Sequence, residues 1–269
     1  MNIVVNNVNY HVNIIGKGEP VIMLHGFTGD MTSWDGINPY LKEKNQLILI
    51  DILGHGKTEI PINIDRFHIE KVAKDIRDIL LHLKINKTNI LGYSMGGRLA
   101  LTFTFLYPKM VNKLILESAS PGIETEEGRK LRRENDEKLA NKIMDEGVES
   151  FVHFWTNIPL FNSQKRLDHS IQEKVKQQRL QNAPIGLANS LKGMGTGKMP
   201  SLWDRLHQLD IPVLILSGSL DEKYCDIGKK MKSNLPHVMH YIFEDIGHAI
   251  HVEDSQKFGT IIMEFLSNK

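Results

Sequence analysis

The sequence predicts an α/β fold: a mostly parallel central sheet flanked by helices, with one inserted helical cap. Three observations carry this expectation. Short, nearly all-apolar runs recur along the chain, which suits strands buried on both faces of a parallel sheet. Amphipathic stretches with helical spacing separate them. One long, charged, strand-poor segment then breaks the alternation.

In chain order, "MNIVVNNVNYHVNIIG" alternates polar and apolar residues and reads as two strands turning at Asn6-Asn7. "VIMLHG" (Val21–Gly26) and "LILIDI" (Leu47–Ile52) follow as buried strands. "FHIEKVAKDIRDILLHLKI" is the clearest helix, with Ile69, Val72, Ala73, Ile76, Ile79, Leu80 and Leu83 on one face. "NILGYS" (Asn89–Ser94) is a strand running directly into a helical pattern that stops at Pro108, and "KLILES" (Lys113–Ser118) is the next strand. The segment from about Ser120 to Met199 reads as the cap, with Leu139, Ile143 and Met144 on one apolar face. The glycines of "KGMGTGK" (Lys192–Lys198) suggest a flexible return to the core. "PVLILSG" (Pro212–Gly218) and "HYIFE" (His240–Glu244) resume the sheet. The expected division is a core of residues 1–119 and 201–269 around a cap of 120–200.

With 269 residues, 41% of them hydrophobic, the chain is long enough to bury a sizeable core. A net charge of +1 provides no overall field for nucleic acid or a membrane surface. No apolar stretch approaches the ~20 residues of a membrane span. The N-terminus lacks a basic stretch followed by a long apolar run, so no signal peptide is expected. The single cysteine, Cys225, excludes a disulfide within the chain and fits a reducing, cytoplasmic setting.

Gly92-Tyr93-Ser94-Met95-Gly96 is a G-x-S-x-G motif between a strand and a helix. In that context the glycines permit a tight turn that exposes the serine at a helix N-terminus. A serine needs a base, and the base an orienting acid, in the chain order serine, acid, histidine. Asp221 in "SLDEKY" and His248 in "EDIGHAIHVED" each follow a strand end and fit those roles. In "LHGFTGD" the N–H of Phe27 can aim with that of Met95 at one point, as oxyanion donors. His25 and His55 read as loop braces. His248, His251, Glu253 and Asp254 match no strong metal spacing, so no metal or other cofactor is expected. Cys225 lacks an elbow and reads as a packed thiol. Arg98, one turn after Ser94, implies either a buried ion pair or an anionic substrate.

"HGF", "GYSMGG", "LDEKY" and "GHAIH" together resemble the α/β-hydrolase superfamily over the whole chain. "GYSMGGR" and "PGIETEEGRKLRRENDEKLA" specifically resemble the 2-succinyl-6-hydroxy-2,4-cyclohexadiene-1-carboxylate synthases of menaquinone biosynthesis. That resemblance implies a lyase that expels pyruvate from a small polycarboxylate substrate. It implies substrate contacts from Tyr93, Arg98, Arg132, Trp155, Arg179 and Lys223. Arginine forks suit such a substrate because they bind carboxylates bidentately. Ser94, activated by His248 and Asp221, would then abstract a proton instead of forming an acyl-enzyme. Glu124 departs from the family's usual glutamine and is not carried over. Arg129, Arg132 and Arg133 could equally be a solvated helix face. Two other functions share the same residues: a serine carboxylesterase or C–C bond hydrolase for an acidic substrate, and a non-catalytic ligand sensor.

Overall fold

The computed structural model describes residues 1–268. Eight strands form one sheet in the order β1-β2-β4-β3-β5-β6-β7-β8. They are β1 (Asn2–Val5), β2 (Val8–Ile15), β3 (Glu19–Leu24), β4 (Asn45–Ile50), β5 (Thr88–Tyr93), β6 (Val111–Glu117), β7 (Val213–Gly218) and β8 (Val238–Phe243). The β1–β2 and β2–β4 pairs are antiparallel and every other pair is parallel. Asn6 and Asn7 make the first turn at φ of 49° and 62°, conformations that asparagine tolerates and tight hairpins require. The helices are α1 (Asn38–Leu41), α2 (Ile69–His82), α3 (Met95–Leu106), α4 (Glu126–Thr156), α5 (His169–Leu180), α6 (Pro184–Met194), α7 (Glu222–Lys232), α8 (Ile250–Glu253) and α9 (Ser255–Ser267).

The strand order places the site. β3 lies between β4 and β5, so the chain reverses direction across the sheet there. Loops leaving the carboxyl ends of neighbouring strands diverge at such a switch point and leave a crevice. The apolar runs that predicted the strands are buried against helices on both faces. Ile76 and Leu80 of α2, Leu99 and Phe103 of α3 and Met231 of α7 form one layer. Leu41 of α1 with Phe258 and Ile262 of α9 form the other.

The chain leaves the sheet after β6 and returns at β7, and α4 to α6 form the insertion between them. Ala140, Ile143, Phe151, Leu187, Ala188 and Leu191 make its small core, with Phe27 and Trp155 packed against it. The cap is thereby seated on the loop after β3. Met144, expected on the buried face, is 48% exposed, and Ala140 and Ile143 carry that face. Helix α4 is broken at Gly147, whose φ of 80° and ψ of 171° only glycine adopts cheaply.

The expected flexible return at Lys192–Lys198 is corrected. Gly193 and Met194 belong to α6, and Gly195 and Gly197 are buried. The glycines serve close packing: a Cβ on Gly193 would stand 2.3 Å from the Phe67 Cβ, and one on Gly195 2.4 Å from Asp136 Oδ2. Among the described residues, no helix is long and apolar enough to cross a membrane.

His25 and His55 are both buried, with ring centroids 5.2 Å apart. The Ile52 N–H donates to His25 Nε2 at 3.0 Å, so His25 Nδ1 carries the proton, 2.8 Å from the Gly26 carbonyl. Burial holds His25 below its ordinary value; burial, and then the nearby His25 ring, push His55 down to about 3. Both are therefore neutral when folded and protonated below about pH 6.5 when unfolded. Their contribution is fully present above pH 6.5 and is lost as pH falls toward the folded values. Urea unfolding at pH 7 and pH 5 should show a lower midpoint in acid. His55→Gln should flatten that difference, and an unchanged pH slope would contradict the assignment.

Candidate active site

Strand β5 ends at Tyr93 and α3 begins at Met95, so Ser94 alone turns the chain. Its φ of 50° lies in the left-handed region that residues with a Cβ rarely occupy. The turn closes because its flanking glycines lack side chains. A Cβ on Gly92 would stand 2.5 Å from the Gly96 oxygen, and one on Gly96 2.1 Å from that of Leu24. The Ser94 N–H donates to the Glu117 carbonyl at 2.8 Å, and the Ser94 carbonyl accepts from the Arg98 N–H at 3.1 Å.

Asp221 caps α7 just beyond β7, and His248 lies in the loop between β8 and α8. His248 Nε2 is 3.0 Å from Ser94 Oγ, and His248 Nδ1 is 2.5 Å from Asp221 Oδ2. A carboxylate only accepts, so Nδ1 carries the proton and Nε2 is left to receive one from the serine. The imidazole is buried. Its ring centroid lies 4.7 Å from Tyr224, 5.4 Å from Tyr93 and 6.2 Å from Phe161. The N–H groups of Phe27 and Met95 make no internal hydrogen bond among the described residues, which leaves both donors for a ligand.

The alpha/beta hydrolase fold family matches residues 19–255. A protein of Bacillus subtilis (strain 168), provisionally named as a 2-succinyl-6-hydroxy-2,4-cyclohexadiene-1-carboxylate synthase, is 46% identical over 250 residues, covering 93% of this chain and 91% of its own. The chain belongs to that synthase family of the alpha/beta hydrolase fold. An Enterobacter sp. (strain 638) protein named for the same synthase is 27% identical over 246 residues, 91% of each chain. The structure of MenH from S. aureus matches with a TM-score of 0.92 at 36% identity, covering 95% of this chain and 97% of that one.

Around this family's elbow the structure gathers most of the predicted contacts. Arg98 is 9% exposed, and its guanidinium donates to the Met194 carbonyl at 2.6 Å. Arg179 is 5% exposed, donates to Thr156 Oγ1 at 2.9 Å and lies 4.5 Å from the Phe161 ring centroid. Among the described residues, neither has a carboxylate within ion-pair distance. Burial pushes both guanidiniums down to about 10, with Arg132 adding to the effect on Arg98. Both remain cationic at neutral pH. Arg132 donates from Nε to Asp136 Oδ1 at 2.7 Å, whereas Arg129 and Arg133 pair with Glu126 and also donate to the Ile123 and Gly197 carbonyls, respectively. Burial raises Asp136, opposed by Arg132 and Arg98, so the three form one cluster.

Trp155 stacks on Phe151 and meets Phe27 edge-on at 5.4 Å, and its buried Nε1–H has no acceptor. Tyr93, Phe27, Phe161, Arg179 and His251 line a cavity of about 40 Å³. It adjoins a groove of about 610 Å³ between α5 and residues 30–36. Lys223 is exposed, with its ammonium 5.7 Å from the Tyr224 ring centroid, and is not brought to the triad. Glu124 pairs with Lys230 at the surface. The residues weighed as metal ligands serve elsewhere: His251 bonds Glu117, Glu253 bonds Ser163 and the Gly247 N–H, and Asp254 caps α9. Cys225 is buried, its thiol donating to the Gly218 carbonyl.

Sequence reasoning missed Tyr224, Phe161 and Asp136. Two of them had a signal. Tyr224 lies three residues after Asp221 in the first turn of α7, so it falls above the acid. Asp136 lies one turn after Arg132, a spacing that pairs opposite charges on a helix.

A buried guanidinium with no carboxylate in ion-pair contact adds little to the resting fold. Arg98→Met and Arg179→Met should therefore keep or raise the melting temperature. Each should lower kcat/KM on a carboxylated substrate roughly 30-fold or more, the cost of losing a desolvated charge partner. A variant that melts earlier with little kinetic change would make that arginine structural.

Proposed function

We propose that this site eliminates pyruvate from 2-succinyl-5-enolpyruvyl-6-hydroxy-3-cyclohexene-1-carboxylate, giving 2-succinyl-6-hydroxy-2,4-cyclohexadiene-1-carboxylate. The chain is a carbon–oxygen lyase of menaquinone biosynthesis, in keeping with its 46%-identical relative. The observation that carries the reading is the pair of buried guanidiniums, Arg98 and Arg179, set beside a hydrogen-bonded Ser94–His248–Asp221 triad. A neutral ester would not call for them. A substrate with several carboxylates would satisfy both and recover the cost of burying them.

In this reading Ser94 Oγ takes a C–H proton from the substrate as its own proton passes to His248 Nε2. Asp221 stabilises the imidazolium through Nδ1. The N–H groups of Phe27 and Met95 hold the negative charge that develops on the substrate oxygen. The ring C–O bond to the enolpyruvyl group then breaks, and the departing enolpyruvate takes up the proton held by His248 and becomes pyruvate. Arg98, with Arg132 behind it, and Arg179 hold carboxylates on two sides. Tyr93, Trp155 and Tyr224 wall the reacting ring, and Lys223 is at most a contact at the rim. Residues 120–200 act as the cap that excludes water. Cytoplasmic placement agrees with the single free cysteine, Cys225.

The test is pyruvate release from the intermediate, followed with the purified protein. Ser94→Ala, His248→Ala and Asp221→Asn should each lower kcat by about two to four orders of magnitude, without adding, because the three act as one unit. Near-normal turnover by Ser94→Ala would remove the serine from the mechanism. Efficient cleavage of acidic p-nitrophenyl esters without pyruvate release would favour the hydrolase.

A further inference from the structure

We propose that Glu117 and His251, which the mechanism above does not use, are positioning residues that align Ser94 with His248. The inference rests on the triad reading and adds to it the device that holds the triad in register. Glu117 is the last residue of β6 and is fully buried. Its backbone carbonyl accepts the Ser94 N–H at 2.8 Å. Its side chain accepts the His251 backbone N–H at 3.0 Å. The His251 Nδ1–H lies 2.8 and 2.9 Å from the two carboxylate oxygens. One residue therefore binds the nucleophile turn through its main chain and the start of α8, three residues after His248, through its side chain.

The imidazole of His251 extends the brace. Its ring centroid lies 4.9 Å from Trp34 on one side and 4.6 Å from Tyr93 on the other. Tyr93 lies 5.4 Å from His248 and so close to Gly26 that a Cβ there would stand 2.5 Å from the tyrosine ring. The tyrosine before the serine is thus clamped between two histidines and the oxyanion loop, and Glu117 holds the outer one. Neither Glu117 nor His251 belongs to the triad. A buried carboxylate–imidazole pair also stabilises a fold no better than apolar packing would. Its position against three catalytic elements points to geometry as its role.

The test compares Glu117→Leu, Glu117→Gln and His251→Asn with the wild type. Misplacing a catalytic group by about 1 Å costs on the order of 10²-fold in rate. Glu117→Leu should therefore lower kcat about 100-fold with KM within about twofold. Glu117→Gln keeps an oxygen acceptor, and His251→Asn keeps a donor near the Nδ1 position, so each should recover part of the loss. In the unliganded protein, the downfield proton NMR resonance of the His248–Asp221 hydrogen bond should move or broaden in Glu117→Leu. If that variant fails to fold, the two milder variants give the same readouts. The NMR signal needs no substrate, so it separates failure of this inference from failure of the proposed reaction. Unchanged kcat in folded variants, a loss confined to KM, or an unaltered resonance would each overturn the proposal.

Discussion

Everything at this site depends on the backbone of Ser94. A non-glycine residue held in a sparsely populated conformation costs about 1–3 kcal/mol, and surrounding structure must enforce it. Gly92 and Gly96 remove the clashes, the Glu117 carbonyl binds the Ser94 N–H, and the first hydrogen bond of α3 starts from the Ser94 carbonyl. Three consequences follow from that single turn. The hydroxyl stands clear of the sheet toward His248. The Met95 N–H is left free at the start of the helix. The helical period carries Arg98 back over the same crevice.

Charge is the second constraint. An isolated buried cation costs several kcal/mol, against about 1 kcal/mol for a typical hydrogen bond, so the carbonyl and hydroxyl that Arg98 and Arg179 contact do not balance their burial. The two lie in different parts of the chain, Arg98 on α3 and Arg179 on cap helix α5. A polycarboxylate bound to both, as proposed above, would link the cap to α3 and reinforce a cap that already packs on Phe27. The cap core packs on Phe27, the same residue whose N–H makes no internal hydrogen bond among the described residues and is proposed above as an oxyanion donor. In that reading, cap position and oxyanion geometry would be joined through Phe27.

The fold was legible because apolar runs and helical periodicity are local signals. The strand order, with β4 between β2 and β3, pairs separate segments and was not legible in the same way. The elbow was as legible as the strands, since five consecutive residues state it, and Asp221 and His248 could be found from strand ends. Other features depend on contacts between distant segments. Glu117 and His251 are 134 positions apart, and neither has a local partner that marks it. The glycines at 193 and 195 read as flexible because composition cannot distinguish a hinge from a place where another element presses in. Among Arg129, Arg132 and Arg133, only helical phase decides which one faces Asp136 and Arg98. That phase was uncertain until the cap was seated.

The claim that sets this chain apart from an ordinary serine hydrolase is that Ser94 handles a proton and never bonds to carbon. Rapid-quench mass spectrometry of the intact protein during turnover of the natural intermediate tests this directly. Proton abstraction predicts unmodified Ser94 at every time point while pyruvate accumulates. A substrate-derived adduct on Ser94 that forms and decays at rates competent for turnover would contradict it.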